Sequence, residues 1–398
     1  MRQKRLMVIA GGEWQVPLIR TAKSMGLFVI NSNLYPDSPG FRHADVGLVA
    51  DVRDLEKNLG FAREYKPDGI VTEQTDLSVP TVAYLCEQLG LSGIGLAAAK
   101  LFTNKFLMRE FLRQHGYPTP EYLLCKKPDD ALGFARKVGF PIVIKPPANQ
   151  GSRGVFRVDR EADLLSRYAD SIRASHDGDV IAERFIPGEG LTVEGFKTNS
   201  RHYSLAVSRR ETFAHNPMLG AVQTYSLTDD TIDFEALKKQ HDSMVEEMGL
   251  SFGVTHAEYI VSEGQFFLIE IAARGGGSGT ASHIVPAVSG IETNELLIRM
   301  SLGERIATLA PSTGRYAFAI ISFFNFGPGV VKTVYGLDKV REFPGLLHIS
   351  LNVAPGQRLE PARDSSARQG FFMAAARSLK ELQDLSQKIH QELRIDYA

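Results

Sequence analysis

The sequence predicts a mixed α/β and α+β protein, with a parallel α/β unit first, an α+β core next, and a β-rich closing lobe. Three observations carry that prediction. Short apolar runs alternate with helical segments up to residue 88, the pattern of a doubly wound parallel sheet. Two apolar runs flank Ser262-Glu263-Gly264, the pattern of a β-hairpin, and the second leads into a glycine run at Gly275. From Arg315 onward short strand-like segments dominate. A length of 398 residues fits two or three domains. The expected divisions are 1–102, 103–310 (with a small lobe near 120–187) and 311–398.

Taken in order, residues 6–10 read as a buried strand that turns at Gly11-Gly12 into a helix over 15–25. A strand over 27–31, a helix over 55–65, a strand over 69–71 and a helix over 77–88 follow. The turn at Gly11-Gly12 lacks G-x-G-x-x-G spacing, so close strand–helix packing explains it better than a dinucleotide site. A helix over 103–115 carries Lys105 and closes at Gly116, and Pro118 and Pro120 mark a linker. Next come a helix over 129–138, strands over 141–145 and 155–158, a helix over 161–174, and a strand over 180–185 that stops before Pro187. Strands over 191–196 and 203–207 and a helix over 234–248 lead to the hairpin, and a helix over 292–302 follows it. The tail holds strands over 316–321, 346–351 and 370–376, then an amphipathic helix over 379–393.

Composition excludes several classes. A formal net charge of −1 gives no general attraction to nucleic acid or anionic membrane. Cys86 and Cys125 are too few for a disulfide framework or a metal cluster. Residues 1–10 resemble a signal peptide, but Gly11-Gly12-Glu13 ends the apolar run too soon, and no run approaches the ~20 residues a bilayer requires. A soluble, cytoplasmic protein is expected.

The hairpin carries the first chemical signal. A three-residue turn would set Glu258 opposite Leu268 and His256 opposite Glu270. Glu258 and Glu270 would then be diagonal neighbours roughly 7–8 Å apart at the backbone on one face. Ala257, Tyr259, Val261, Phe267, Ile269 and Ile271 would line the other face. Two converging carboxylates repel unless a cation joins them, and Mg²⁺ favours such oxygens while keeping places for water and phosphate. A surface hairpin with two solvated glutamates fits the same pattern. Arg274 beside the N–H groups of Gly275-Gly276-Gly277 would suit an anion. A second signal is Lys145 entering the loop Ala148-Asn-Gln-Gly151-Ser152-Arg153-Gly154, whose backbone could wrap phosphates. A third is Glu183-Arg184-Phe185-Ile186, a strand end with free backbone groups that match an adenine edge.

In this order, Lys105, Ile142-Val-Ile-Lys145 with its glycine loop, Glu183-Arg-Phe-Ile186-Pro-Gly188, Glu258, and Glu270-Ile-Ala-Ala-Arg274 resemble the ATP-grasp superfamily. The tail, with Gly336-Leu-Asp338, Phe343-Pro-Gly345, Val353-Ala-Pro-Gly356-Gln-Arg358 and Arg368-Gln-Gly370, is similar to its carboxylate–amine ligase branch, which includes L-amino-acid ligases and biotin-carboxylase-like enzymes. The resemblance implies a Rossmann-like first domain and a split ATP-grasp core. It implies ATP held by Lys105 and Lys145 under Gly151, Ser152 and Gly154, with adenine on Glu183, Arg184, Phe185 and Ile186. It places Mg²⁺ (or Mn²⁺) on Glu258 and Glu270, with Arg274 and Lys145 as the catalytic residues. Two positions depart from the family pattern. Ala272 stands where a metal-ligating Asn is usual, leaving His256 or water to fill the gap. Gly190 stands where a ribose-binding carboxylate is usual, making Glu189 the substitute.

The activity implied is ATP-dependent joining of a carboxylic acid, such as an amino acid, to an amine through an acyl phosphate, with release of ADP and phosphate. Alternatives are a carboxylase that activates bicarbonate and a nucleotide-binding regulator without catalysis. The partners implied are small-molecule acid and amine substrates, with a homodimer as the candidate assembly. His256, Ser278, Thr280, His283 and Arg299 are candidates for the acceptor site.

Overall fold

The computed structural model describes residues 2–175, 178–310 and 312–398. Its N-terminal part is a parallel four-stranded sheet ordered β3-β2-β1-β4, from β1 (Arg5–Ile9), β2 (Phe28–Asn33), β3 (Val46–Val49) and β4 (Gly69–Val71). Helices cover both faces, which is why the strands read as near-continuous apolar runs. Met7, Ile9 and Ile30 pack on Leu59 and Leu85 from helices Leu55–Tyr65 and Val79–Leu89. Leu6, Val8 and Val29 pack on Leu18 from helix Val16–Ser24 and on Ile298 from helix Thr293–Ser301. The first sheet is therefore closed partly by a helix that follows the hairpin.

A second sheet, ordered β5-β8-β6-β7, joins β5 (Tyr122–Cys125), β6 (Ile142–Lys145), β7 (Phe156–Val158) and β8 (Val180–Arg184) in antiparallel pairs. Alternation decides its two faces. Ile142, Ile144, Val180 and Ala182 meet Ala131, Phe134, Leu164 and Tyr168 from helices Pro128–Val138 and Glu161–Ala174. Lys145 and Glu183 take the opposite face.

The largest sheet has eight strands, ordered β13-β12-β9-β10-β11-β14-β18-β16. They are β9 (Glu189–Lys197), β10 (His202–Phe213), β11 (Asn216–Ser226), β12 (Gly253–Ser262), β13 (Gln265–Ala272), β14 (Phe318–Phe323), β16 (Leu346–Leu351) and β18 (Gly370–Ala376). The tail strands thus extend the core sheet without a break at residue 310. Strands β15 (Gly329–Tyr335), β17 (Arg358–Leu359) and β19 (Arg394–Tyr397) make a small separate sheet. Sequence reasoning missed β11, because Pro217 and Gly220 read as strand breakers. The β10–β11 register is irregular at that end, between Glu211 and Phe213.

Helix Phe234–Glu247 packs on Leu191, Val193 and Tyr259 on one face of this sheet. Helix Thr280–Ser289, also unforeseen, packs on Tyr225, Ile321 and Met373. Among the described residues no helix is long and apolar enough to cross a membrane.

Candidate active site

The hairpin differs from the sequence expectation in a way that matters. Its turn has two residues, Glu263 and Gly264, both with positive φ (50° and 73°), and Ser262 pairs with Gln265. Such a turn matches the strand twist. Continued unbroken, that register would set Glu258 opposite Ile269 and send Glu270 to the other face. A β-bulge prevents this: Tyr259 pairs with Leu268, yet Glu258 pairs with Glu270 and His256 with Ala272. Ile269 is the extra residue, and buried Arg109 donates from Nη2 to its carbonyl at 2.8 Å. The burial pattern records the phase change, since Phe266, Leu268 and then Ile271 face the core, in place of the expected Phe267, Ile269 and Ile271. Glu258 and Glu270 are therefore directly opposite each other, closer than the diagonal arrangement expected.

Each carboxylate already holds a cation. Lys105 Nζ lies 2.8 Å from Glu270 Oε2 and donates to the Asn149 carbonyl at 2.7 Å, while its backbone N–H donates to Pro147. Asn104 caps the helix that presents it. Arg210 on β10 donates to Glu258 Oε2 at 2.5 Å. Burial opposes the charge on Glu258, but Arg210 and then His256 hold its carboxyl well below the usual range. Arg210 escaped sequence reasoning because Ser208-Arg-Arg-Glu211 looks like a solvated edge. Arg368, from the C-terminal lobe, lies 3.5 Å above the Phe323 ring and donates to the Gly220 carbonyl. Burial, with Arg210 next, pushes it down to about 9.

His256, offered for the gap left by Ala272, is engaged by a carboxylate on each ring nitrogen. Its Nδ1 is 2.7 Å from Glu194 Oε1, and its Nε2 is 4.0 Å from Glu258. Burial works against its charge, but Glu194 lifts its pKa to about 10.

Lys145 and Glu183 form a buried ion pair at 2.7 Å. Arg109 completes the group, with Nε 2.8 Å from Glu183 Oε1 in a contact too bent for a hydrogen bond, and Nη2 donating to Oε2 at 3.3 Å. Desolvation pulls Lys145 down to about 8 despite Glu183. Burial raises Glu183, but Arg109 and Lys145 outweigh it and keep it ionised. Glu183 thus neutralises Lys145, and its side chain is not free for adenine. At the strand end, Arg184 N–H goes to Glu121 and Phe185 N–H to Pro141. Ile186 N–H has no partner among the described residues. Glu189 pairs with Arg209 at the exposed start of β9.

The glycine loop after Lys145 is docked on three segments. Gln150 Oε1 accepts from Asp76 N–H at 2.9 Å, Gly151 carbonyl accepts from Ser365 Oγ at 2.9 Å, and Ser152 Oγ donates to Met218 at 3.2 Å. Gly151 and Gly154 carry positive φ, which lets the loop fold back.

Arg274 is buried, with Nε and Nη2 on the two oxygens of Asp76 at 2.9 and 2.8 Å and Nη1 on the Gly275 carbonyl. Burial opposes its charge, but Asp76 keeps it firmly cationic. The glycine run is not an open anion nest. Gly275 N–H donates to Glu73 at 2.6 Å, Gly276 to Glu194 at 3.2 Å and Gly279 to Gln74 at 2.6 Å. A Cβ at Gly275 would meet Glu73 Oε1 at 2.5 Å, so this approach needs glycine. Of the acceptor candidates, Ser278 lies on this loop, while Thr280 is buried and binds Gly277. His283 stacks on His348 at 5.1 Å, and burial lowers it to about 4, so it is neutral. Arg299 pairs with Glu304 and Glu295 on its own segment and is not brought to the site.

Comparison with known proteins agrees with this geometry. Residues 138–282 match the ATP-grasp domain, and residues 322–398 match the L-amino acid ligase C-terminal domain 2. The L-arginine-specific L-amino acid ligase of Bacillus subtilis is 23% identical over 357 residues, covering 87% of this chain and 85% of that protein. The crystal structure of an L-amino acid ligase from Bacillus licheniformis superposes with a TM-score of 0.82 at 22% identity, covering 100% of each chain. The biotin carboxylase domain of the 2-oxoglutarate carboxylase from Hydrogenobacter thermophilus, solved with MgADP and bicarbonate, gives 0.76 at 18% identity, covering 100% of this chain and 91% of that one. The chain therefore carries an ATP-grasp domain over residues 138–282, followed by an L-amino acid ligase C-terminal domain over residues 322–398.

Proposed function

We propose that the protein is an ATP-dependent ligase that joins a carboxylic acid to an amine through an acyl phosphate, releasing ADP and phosphate. The observation that carries this is a set of contacts: Lys105 on Glu270, Glu270 opposite Glu258, Lys145 on Glu183, and Arg274 on Asp76, whose N–H is held by Gln150 of the glycine loop. The donor set suits Mg²⁺, which takes one or two carboxylates and leaves its other positions to water and phosphate. Glu258 and Glu270, opposed across the ladder, would hold it, and it would there neutralise charge at the β–γ junction.

The chain's own groups supply the rest. Lys105 and Lys145 grip the phosphates, and the flap excludes water. A carboxylate oxygen of the acid attacks the γ-phosphorus, the bond to the bridging oxygen breaks, and ADP leaves. Arg274 stands where charge spreads over the transferring group. The amine nitrogen then attacks the acyl carbon, phosphate departs, and the nitrogen loses a proton to form the amide. Adenine has the Ile186 N–H at the end of β8, and the ribose has Glu189 once it leaves Arg209.

An ADP-release screen over acids and amines, with products identified by mass spectrometry, tests this reading. Amide and ADP should appear in equal amounts. Pyrophosphate in place of phosphate would overturn it.

A further inference from the structure

The acidic loop Glu73-Gln74-Thr75-Asp76 follows β4 of the N-terminal sheet, yet it bonds both the glycine loop and the Arg274–Gly279 segment. Glu73 and Gln74 take the N–H groups of Gly275 and Gly279. Asp76 takes two nitrogens of Arg274 through its carboxylate, while its backbone N–H is held by Gln150 of the glycine flap at 2.9 Å. Gln150 Nε2 reaches Thr75 Oγ1 at 3.4 Å as well. One residue therefore bonds the flap with its backbone and the arginine with its side chain. The three segments that meet here each carry a non-glycine residue in the left-handed region: Gln74 (φ 60°), Ser152 (φ 58°) and Ser278 (φ 65°). Such conformations persist only where surroundings over-determine them, and they gather at functional junctions.

We propose that Asp76 is a positioning residue that couples docking of the glycine flap to the placement of Arg274, so that phosphoryl transfer to the acid proceeds only beneath a closed flap. The inference rests on the ligase reading above. Flap docking sets Gln150 on the Asp76 N–H and fixes the backbone of residue 76. The carboxylate, forked on Nε and Nη2, and the Gly275 carbonyl, on Nη1, then fix the guanidinium plane. With the flap raised, Asp76 loses that anchor and Arg274 loses its aim. A misplacement of about 1 Å at such a group costs on the order of 10²-fold in rate.

Asp76→Asn keeps the backbone N–H and the side-chain shape but removes the charge on Arg274, whereas Gln150→Ala removes the flap contact alone. In Asp76→Asn the KM for ATP should stay within about twofold of the parent, amide formation should fall on the order of 10²-fold, and the ratio of ADP to amide should rise several-fold. A merely structural role would lower ATP hydrolysis and ligation together and leave the ratio unchanged, which would overturn the proposal. Hydrogen exchange with a non-hydrolysable ATP analogue and Mg²⁺ gives a second readout that needs no turnover. In the parent, nucleotide should protect both 148–154 and 274–279. In Asp76→Asn it should protect 148–154 only, and in Gln150→Ala the protection of 274–279 should weaken. Full protection of both segments in both variants would refute the coupling. Should the parent convert no acid–amine pair, the ligase reading falls while the exchange result still decides whether the loop links flap and arginine.

Discussion

Glu183→Gln is the sharpest probe of the proposed nucleotide site, because one carboxylate serves two buried cations. Lys145 lies 2.7 Å and Arg109 Nε 2.8 Å from it, and all three side chains are almost wholly buried. Two unit charges about 4 Å apart interact by about 4 kcal/mol at an effective dielectric of 20. Removing that attraction equals about 3 pH units on Lys145. The lysine already sits at about 8, pulled down chiefly by desolvation, so without Glu183 it would be neutral at pH 7 and lose its hold on phosphate. Leaving Arg109 without its counter-ion should cost a further 3–5 kcal/mol of stability, by order of magnitude. Calorimetric titration with ADP across pH, beside thermal melts, measures both effects. The parent should bind ADP more weakly as pH rises through about 8, where Lys145 loses its proton. In Glu183→Gln the weakening should already be complete at pH 7 and reverse on acidification. Linkage gives an independent sign. The folded value lies below the unfolded 10.5, so between these the unfolded chain binds more protons, and this residue makes the fold more stable as pH rises. A variant that melts like the parent and binds ADP equally at pH 7 would refute the reasoning.

Three further outcomes are expected. Glu270→Gln should abolish turnover and weaken Mn²⁺ binding, read by electron paramagnetic resonance, while circular dichroism stays unchanged; near-normal turnover would remove Glu270 from the metal site. Arg274→Ala should reduce ligation by on the order of 10²–10³ while leaving the KM for ATP close to that of the parent. Glu73→Gln should raise the melting temperature at pH 8, because burial, only partly offset by the Gly275 and Gln74 N–H groups, lifts the Glu73 carboxyl to about 7. The sign follows from the folded value lying above the usual 4.5: the stability it contributes is full below 4.5 and is lost as pH rises through 7. The parent's melting temperature should therefore decline across that window, and the variant's should decline less.

The sequence showed most of the fold, because burial leaves a periodic trace. The parallel sheet, the small lobe and the tail strands were legible from runs such as Leu6-Met-Val-Ile9 and Gly370-Phe-Phe-Met373. The register of the hairpin was not. Phe266-Phe-Leu-Ile269 is apolar at every position, so nothing in it marks where the phase slips, and the bulge at Ile269 depends on Arg109, far away in the chain. The lysines, the two glutamates and Arg274 were proposed from motif order. Their partners Asp76, Arg210 and Arg109 were not, since a charge becomes informative only when folding places it against another.

Those partners explain how such a cleft stays stable before nucleotide arrives. A buried charge without a partner is costly, and the cleft carries Lys105, Lys145, Arg274 and two glutamates. Each is paired: Lys105 with Glu270, Lys145 with Glu183, Arg210 with Glu258, Arg274 with Asp76, and His256 with Glu194. The pairs are of two kinds. Lys145 and Glu183 lie together in the small lobe and remain paired while phosphate approaches the lysine. Lys105–Glu270 and Arg210–Glu258 instead join a cation to one of the two carboxylates proposed to hold the metal. On the proposed reading, nucleotide and Mg²⁺ entering together would give each carboxylate the metal and each cation the phosphates or the acid, so both members of each pair would keep a counter-charge. Either component alone would strand one member of each pair. The arrangement therefore favours the metal–nucleotide complex over free ATP or free metal, and nucleotide affinity should depend on Mg²⁺ far more steeply in the parent than in a Lys105→Met, Glu270→Gln double variant, where that exchange no longer exists.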